Sequence, residues 1–299
     1  MVRIPGGSFT MGSSDFYADE GPVHERTVGS FWLDRFEVTN AEFLRFVTDT
    51  GYVTVAERPL EAAEYPDLPP EDRAPGALVF TPTDGPVDLT DWSLWWRWQP
   101  GASWRQPEGP GSSIEGRSDH PVVQVAYPDA AAFARWAGKR LPTEAENELA
   151  ARGGRDDRAP FAWGDVPYPG GVPQAHTWLG RFPYDVRGPH GTTTAPVGSY
   201  PANGYGLFDM IGNVWEWTSD LYAPRHRLPG EEPVDAGTRP NLLAAASAEP
   251  GSSVPRRVLK GGSYLCSPDY CLRFRPAARS PQADDTATTH IGFRCADGA

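Results

Sequence analysis

Pro128-Asp129-Ala130-Ala131-Ala132-Phe133-Ala134-Arg135-Trp136-Ala137-Gly138-Lys139-Arg140-Leu141-Pro142-Thr143-Glu144-Ala145-Glu146-Asn147-Glu148-Leu149 reads as two helices joined by a short link. Asp129 begins an alanine-rich run that Gly138 closes. Thr143 and Glu146 then form a capping box, in which each residue satisfies a backbone donor that the first helical turn leaves free. That second helix is expected to run to about Arg152, before Gly153. Upstream, Trp32–Val38 alternates partly, as a strand does. Thr39 and Glu42 make another capping box there. Phe43, Phe46 and Val47 follow as an apolar stripe at helical spacing, and Gly51 ends the helix.

The rest of the 299 residues reads as short strands and loops. There are 32 Gly and 32 Pro without any period, and 11 Trp, 11 Tyr and 13 Phe argue against disorder. Residues 59–110 place Trp92, Trp95, Trp96, Trp98 and Trp104 among prolines and acids. This is either an aromatic binding wall or aromatic packing beneath a long loop. Residues 223–255 read as a surface excursion, because core patterns flank them on both sides. One compact domain, 1–299, is expected. Composition and turns admit an α+β class without selecting it.

The formal charge of −12 argues against a nucleic-acid partner, and it is compatible with a cationic peptide. No apolar window approaches the length of a membrane span, and the start has no signal-like apolar core. A cytoplasmic protein with no membrane partner is the expectation. Three cysteines cannot all pair. Cys266 and Cys271 have four residues between them, the wrong spacing for a Cys-x-x-Cys dithiol, and no four-ligand zinc set is evident. A close thiol pair can be a disulfide, a coincidence of core packing, or a two-thiolate grip on a soft monovalent metal such as Cu(I).

Further motifs run the length of the chain. They are Pro5-Gly6-Gly7-Ser8-Phe9-Thr10-Met11-Gly12, Glu37-Val38-Thr39-Asn40, Trp136–Glu144, Asn203-Gly204-Tyr205-Gly206-Leu207, Gly212-Asn213-Val214-Trp215-Glu216-Trp217 and Ile291-Gly292-Phe293-Arg294-Cys295. Together these resemble the formylglycine-generating enzyme family, also called sulfatase-modifying factors. The resemblance implies a single loop-rich α+β domain, C-type-lectin-like and low in regular secondary structure. It also implies a reaction: oxidation by molecular oxygen of the cysteine in a Cys-x-Pro-x-Arg motif of an unfolded sulfatase, giving Cα-formylglycine.

On this resemblance Cys266 and Cys271 match the two cysteines that hold Cu(I), with the substrate thiolate as a third sulfur ligand. Three soft donors leave a position for oxygen, and substrate binding completes the centre. Ser263 and Tyr270 match residues lining the site, and Trp215 matches an aromatic beside the cysteines and the substrate groove. Taken on the residues alone, Ser263 is a turn hydroxyl and the two rings are core. The resemblance also implies one structural Ca²⁺, held by Asp209, Gly212, Val214 and Glu216. A second calcium site is expected to be lost, because His176-Thr177-Trp178 and Pro189-His190-Gly191 stand in its segments.

Other positions depart from the family pattern. Asn147 and Leu149 replace two aromatic rings, which should open space or change packing. Leu179 stands for a Gln. His290 stands for an Asn, where it either reaches the substrate groove or is a satisfied structural group. The rival functions are a related domain without this activity, whether a divergent oxidase or a protein whose cysteines are remnants, and a lectin-like binding module using the tryptophan-rich loop. An iron-dependent sulfoxide synthase is disfavoured, because the six histidines are dispersed along the sequence and no separate helical domain is present.

Overall fold

Thr39 and Thr143 each start a helix as the sequence predicts. The computed structural model describes residues 1–298 apart from 61, 63–67, 70–72, 156–157, 229–230 and 232–239. Helix α1 spans Asn40–Thr50 with both halves of the Thr39/Glu42 capping box formed, and Gly51 ends it at φ 67°. Helix α2 spans Tyr127–Trp136, starting two residues before Asp129. Pro128 is tolerated because first-turn N–H groups have no intrahelical partner, and the Asp129 carboxylate accepts the Ala126 N–H at 2.9 Å. Helix α3 spans Glu144–Ala151 with its capping box complete.

The strand-like run before α1 is shorter than expected. Only Phe31–Leu33 is a strand, β4. It pairs on one side with β1 (Val2–Ile4) and on the other with β13 (Ala296–Gly298), tying the two ends of the domain together. Between β1 and β4 lies the hairpin of β2 (Gly7–Met11) and β3 (His24–Val28). The larger sheet has the order β11-β10-β9-β12. Its strands are β9 (Trp215–Leu221), β10 (Arg256–Lys260), β11 (Arg279–Ala283) and β12 (Ile291–Gly292). Strand β9 is buried on both faces at Trp215, Glu216, Trp217 and Thr218.

The core is largely aromatic. Phe43 of α1 meets Phe133 of α2, Trp104 and Phe293 at ring-centroid distances of 5.9, 5.1 and 6.4 Å. Each fully buried ring contributes roughly 1.5–3 kcal/mol of transfer free energy. Buried ion pairs lock α3 to the large sheet. Lys260 on β10 reaches Glu148 at 3.1 Å, and Arg279 on β11 grips Glu144 at 2.7 Å.

Two long stretches resolve differently from their reading. Within 59–110, β5 (Gly76–Phe80) and β6 (Trp96–Pro100) form a hairpin. Trp95 and Trp104 are fully buried, as the packing reading expects, whereas Trp92 and Trp98 are exposed. Within 223–255 the excursion carries helix α4 (Pro240–Ser247), which packs on β9 and β10. Its Ser247 hydroxyl accepts the Arg256 N–H at 3.0 Å. The remaining short strands, β7 (Gly180–Arg181) and β8 (Asp185–Val186), flank Phe182. Asn147 and Leu149 have different surroundings. Leu149 lines a cavity of about 340 Å³, and the Asn147 amide donates to Glu216 at 3.4 Å.

Candidate active site

Strand β10 runs directly into the loop that carries the two cysteines. Gly262, at φ 76°, lies so close to the far end of this loop that a Cβ would stand 2.9 Å from the Phe274 Cα, and only glycine permits that closure. One turn then brings the Cys266 N–H to the Ser263 carbonyl at 3.0 Å. A second brings the Cys271 N–H to the Ser267 carbonyl at 2.8 Å. The two sulfurs finish 3.5 Å apart. Both thiols are free, and the gap is too long for a disulfide bond of about 2.05 Å. It lies within the span of two metal–sulfur bonds of about 2.3 Å each.

The two thiols differ in environment. Cys266 is buried, and its sulfur accepts the Ser263 N–H at 3.4 Å. Burial pushes its acidity well down, raising the pKa. Cys271 is half-buried. The hydrogen bond from Cys266 lowers its pKa, and the nearby Arg273 charge lowers it further. Cys271 is therefore the sulfur that ionises first and the one that faces outward. The Ser263 hydroxyl accepts the Leu265 N–H at 3.2 Å, which is a turn-stabilising role directly beneath Cys266.

An aromatic wall stands beside the pair. Tyr270 stacks on Phe182 at 4.3 Å and meets Trp95 edge-on at 5.4 Å. Its phenol is pushed up to about 12 by burial and then by the two cysteines. Trp95 belongs to the tryptophan-rich segment, but no spacing in the sequence links it or Phe182 to residue 270. Tyr17, Asp19 and Arg273 also lie here unannounced. Trp215 is 5% exposed and belongs to the main core, in the same cluster as Cys266, so little of its ring is open to a groove.

His290 is half-buried, with its ring 4.8 Å from Trp96 and its Nδ1 2.7 Å from the Thr288 hydroxyl. Burial lowers its pKa to about 3, and the ring is neutral across the physiological range. The sign follows from linkage. The unfolded chain binds a proton near 6.5 that the folded chain refuses until about 3, so stability present above pH 6.5 is lost as pH falls. His290→Asn is expected to flatten part of the fall in melting temperature between pH 7 and pH 4. An unchanged profile would refute a buried neutral His290.

Of the residues matched to calcium, Asp209 and Glu216 lie close together, and a further acid joins them. Glu37 lies fully buried among Asp209, Glu216 and Arg294. Burial, followed by the two neighbouring carboxylates, raises its pKa well above normal. Asp209 sits at φ 52° and accepts the Gly198 N–H at 2.6 Å; burial raises its pKa to about 6. Both oxygens of Glu216 are held by Arg294 at 2.7–2.9 Å. Gly212 and Val214 supply backbone on the same turn, and the Val214 N–H points to Glu37 at 3.4 Å.

The histidines are less dispersed than their sequence positions suggest. The rings of His176 and His190 lie 5.0 Å apart, those of His24 and His226 5.3 Å. Even so, among the described residues no set of three or more His, Cys, Asp and Glu side chains is arranged to hold a metal ion. A two-thiol pair falls below that number.

The sulfatase-modifying factor enzyme 1-like domain family matches residues 1–299. This chain belongs to that family. The formylglycine-generating enzyme of Mycobacterium tuberculosis is 59% identical to this sulfatase-modifying factor domain over 296 residues, 99% of this chain and 96% of that one. A bovine relative named inactive Cα-formylglycine-generating enzyme 2 is 38% identical over 307 residues, 100% of this chain and 88% of that one. Among solved structures, PvdO from Pseudomonas aeruginosa superposes with a TM-score of 0.61 at 25% identity, covering 99% of this chain and 93% of that one. The sulfatase-modifying factor fold, a single α+β domain of short strands, few helices and many loops, is thereby established. No described helix is long and apolar enough to cross a membrane.

Proposed function

We infer that this protein oxidises the cysteine of a Cys-x-Pro-x-Arg motif in an unfolded sulfatase to Cα-formylglycine, with molecular oxygen as oxidant and Cu(I) as cofactor. Family membership alone does not carry this reading, since the family includes the relative named inactive. The observation that carries it is the pair of free thiols 3.5 Å apart, one buried and one half-open, in a chain 59% identical to a protein named for the reaction.

The donor set fits the metal. Two thiolates without histidine favour a soft monovalent ion. Cu(I) bound there would supply the electron-transfer chemistry that lets molecular oxygen react at the substrate sulfur. The rest falls to the chain. Cys271 presents the accessible, more acidic sulfur, and Cys266 anchors the pair from the core. Ser263 shapes the turn beneath Cys266. Tyr270, Phe182 and Trp95 wall one side and exclude water from it. The neutral His290 carries no charge to the groove, and Trp215 backs the cysteine loop from within the core.

A structural Ca²⁺ at Asp209, Glu216 and the carbonyls of Gly212 and Val214 fits the charge balance. Glu37, Asp209 and Glu216 surround a single guanidinium, so a divalent cation would offset the carboxylate excess with hard oxygen donors. Glu216 would have to share Arg294. Removing calcium with a chelator is expected to lower the melting temperature by roughly 4 °C, the scale of losing a ligand present at about 100 times its Kd. An unchanged melting curve, with no calcium in elemental analysis, removes the ion from this reading.

The deciding experiment incubates the copper-loaded protein with a Cys-x-Pro-x-Arg peptide under air and an external thiol, because CH₂SH gives two electrons on becoming CHO and H₂S whereas O₂ takes four on becoming water. Mass spectrometry should show exchange of the cysteine CH₂SH for CHO, and replacement of the peptide arginine should weaken turnover. No mass change with copper bound would overturn the proposal. Sugar binding without peptide oxidation would support the lectin-like alternative.

A further inference from the structure

Residues 16–20, which belong to none of the motifs above, close over the loop that carries the two thiols. Ala18–Glu20 forms one 3₁₀ turn. The Tyr17 hydroxyl accepts the N–H of Leu272 at 3.1 Å, and the Arg273 guanidinium lies 3.9 Å from the centre of the Tyr17 ring. The carbonyl of the same Leu272 accepts from Arg275 Nε at 2.7 Å. Arg275 is itself fixed by the segment: its Nη1 donates to Glu20 at 2.9 Å, both side chains are fully buried, and its guanidinium packs 3.7 Å over the Phe16 ring. Asp19 holds Arg273 at 3.2 Å. The N–H of Leu272, the residue next to Cys271, is therefore bonded to an N-terminal strap 255 positions away, and its carbonyl to an arginine that the strap holds.

We propose that Tyr17 is a positioning residue for the cysteine pair. Cys266 is secured from the core, since its carbonyl accepts the Trp178 N–H at 2.9 Å and its own N–H is bonded to Ser263. Cys271 is half-open: its N–H is bonded to the Ser267 carbonyl at 2.8 Å and its thiol to that of Cys266, while the peptide that follows it is bonded to the strap. The Tyr17 hydroxyl fixes the plane of the Cys271–Leu272 peptide, and that plane sets where the outer sulfur stands relative to the inner one. Losing the bond leaves the ring under Arg273 and the Arg275–Glu20 pair intact, so the strap stays folded while the outer sulfur gains freedom. A bond of this kind changes an equilibrium by about two- to tenfold.

The inference rests on the reading that the two thiols are the reacting centre, but its test does not depend on that reading. In metal-free protein, Tyr17→Phe should raise the rate of Cys271 alkylation by iodoacetamide by about two- to tenfold, leaving Cys266 unreactive. Cu(I) affinity, measured by competition with a chromophoric chelator, should fall by a similar factor. In peptide oxidation kcat should fall more than KM changes, because the strap acts on the sulfur position. Circular dichroism should remain that of the wild type, and Asp19→Asn, which loosens Arg273 without touching the hydroxyl, should have the smaller effect. Unchanged alkylation and unchanged Cu(I) affinity in folded Tyr17→Phe would overturn the proposal. If the wild type fails to oxidise the peptide, the proposed function falls, and the alkylation rates still decide whether Tyr17 places Cys271.

Discussion

Cys271→Ser and Cys266→Ser are each expected to lower peptide oxidation on the order of a thousandfold or more, the scale seen when a group bonded to the reacting atoms is lost. A serine hydroxyl is a hard, weakly acidic donor and a poor ligand for a soft ion. The 3.5 Å pair would then offer one sulfur instead of two, and Cu(I) affinity should fall with activity. Cys295→Ala is the control. Cys295 is fully buried in the core, and burial and the neighbouring Asp34 raise its pKa far above a useful range. That variant should lose stability and keep turnover per folded molecule. Activity retained in Cys271→Ser would sink the two-thiolate reading, whatever metal is bound.

The second large effect is expected in stability. Glu216→Ala removes the carboxylate hydrogen-bonded to the buried Arg294 guanidinium and leaves it, among the described residues, the carbonyls of Asp34, Arg35 and Phe208 as acceptors at 3.2, 3.3 and 2.9 Å. Breaking one side of a buried pair costs about 3–5 kcal/mol, and the melting temperature should fall by roughly 5–8 °C. Arg294→Met should be at least as harmful, since Glu37, Asp209 and Glu216 would then face one another without a cation. The double variant Glu216→Met/Arg294→Met should lose less than the sum of the two single variants, because the Glu216–Arg294 pair can be broken only once. Additive losses in the double variant would mean that the pair is not coupled.

Local signals were read correctly where they act within one turn of chain. Thr39/Glu42 and Thr143/Glu146 started their helices because capping is settled by residues three apart. Gly51 ended one helix because a left-handed residue is needed there. The run Trp32–Val38 was over-extended into a longer strand, since alternation reports a face to bury but not how many neighbours a strand will find. In the tertiary fold only Phe31–Leu33 has partners on both sides, β1 and β13. The helix at Pro240–Ser247 went unread because Ala- and Ser-rich sequence has little amphipathic pattern, and its packing against β9 and β10 is a long-range matter.

At the candidate site the sequence by itself determined the chemistry of the donors. Two cysteines five positions apart on one glycine-led loop can be brought close by turns of that loop, and the N–H groups of both are bonded within Ser263–Cys271. Only the tertiary structure decided what surrounds them. Tyr17 and Asp19 arrive from the N-terminus, Trp95 from the edge of a hairpin and Phe182 from between two short strands. Glu37 joins Asp209 and Glu216 across more than 170 residues. No periodicity or spacing encodes such meetings, because they follow from how several elements pack at once. The sequence thus set which atoms can react, and the packing of distant segments set the acidity, the shelter and the position of the sulfur that would meet a substrate.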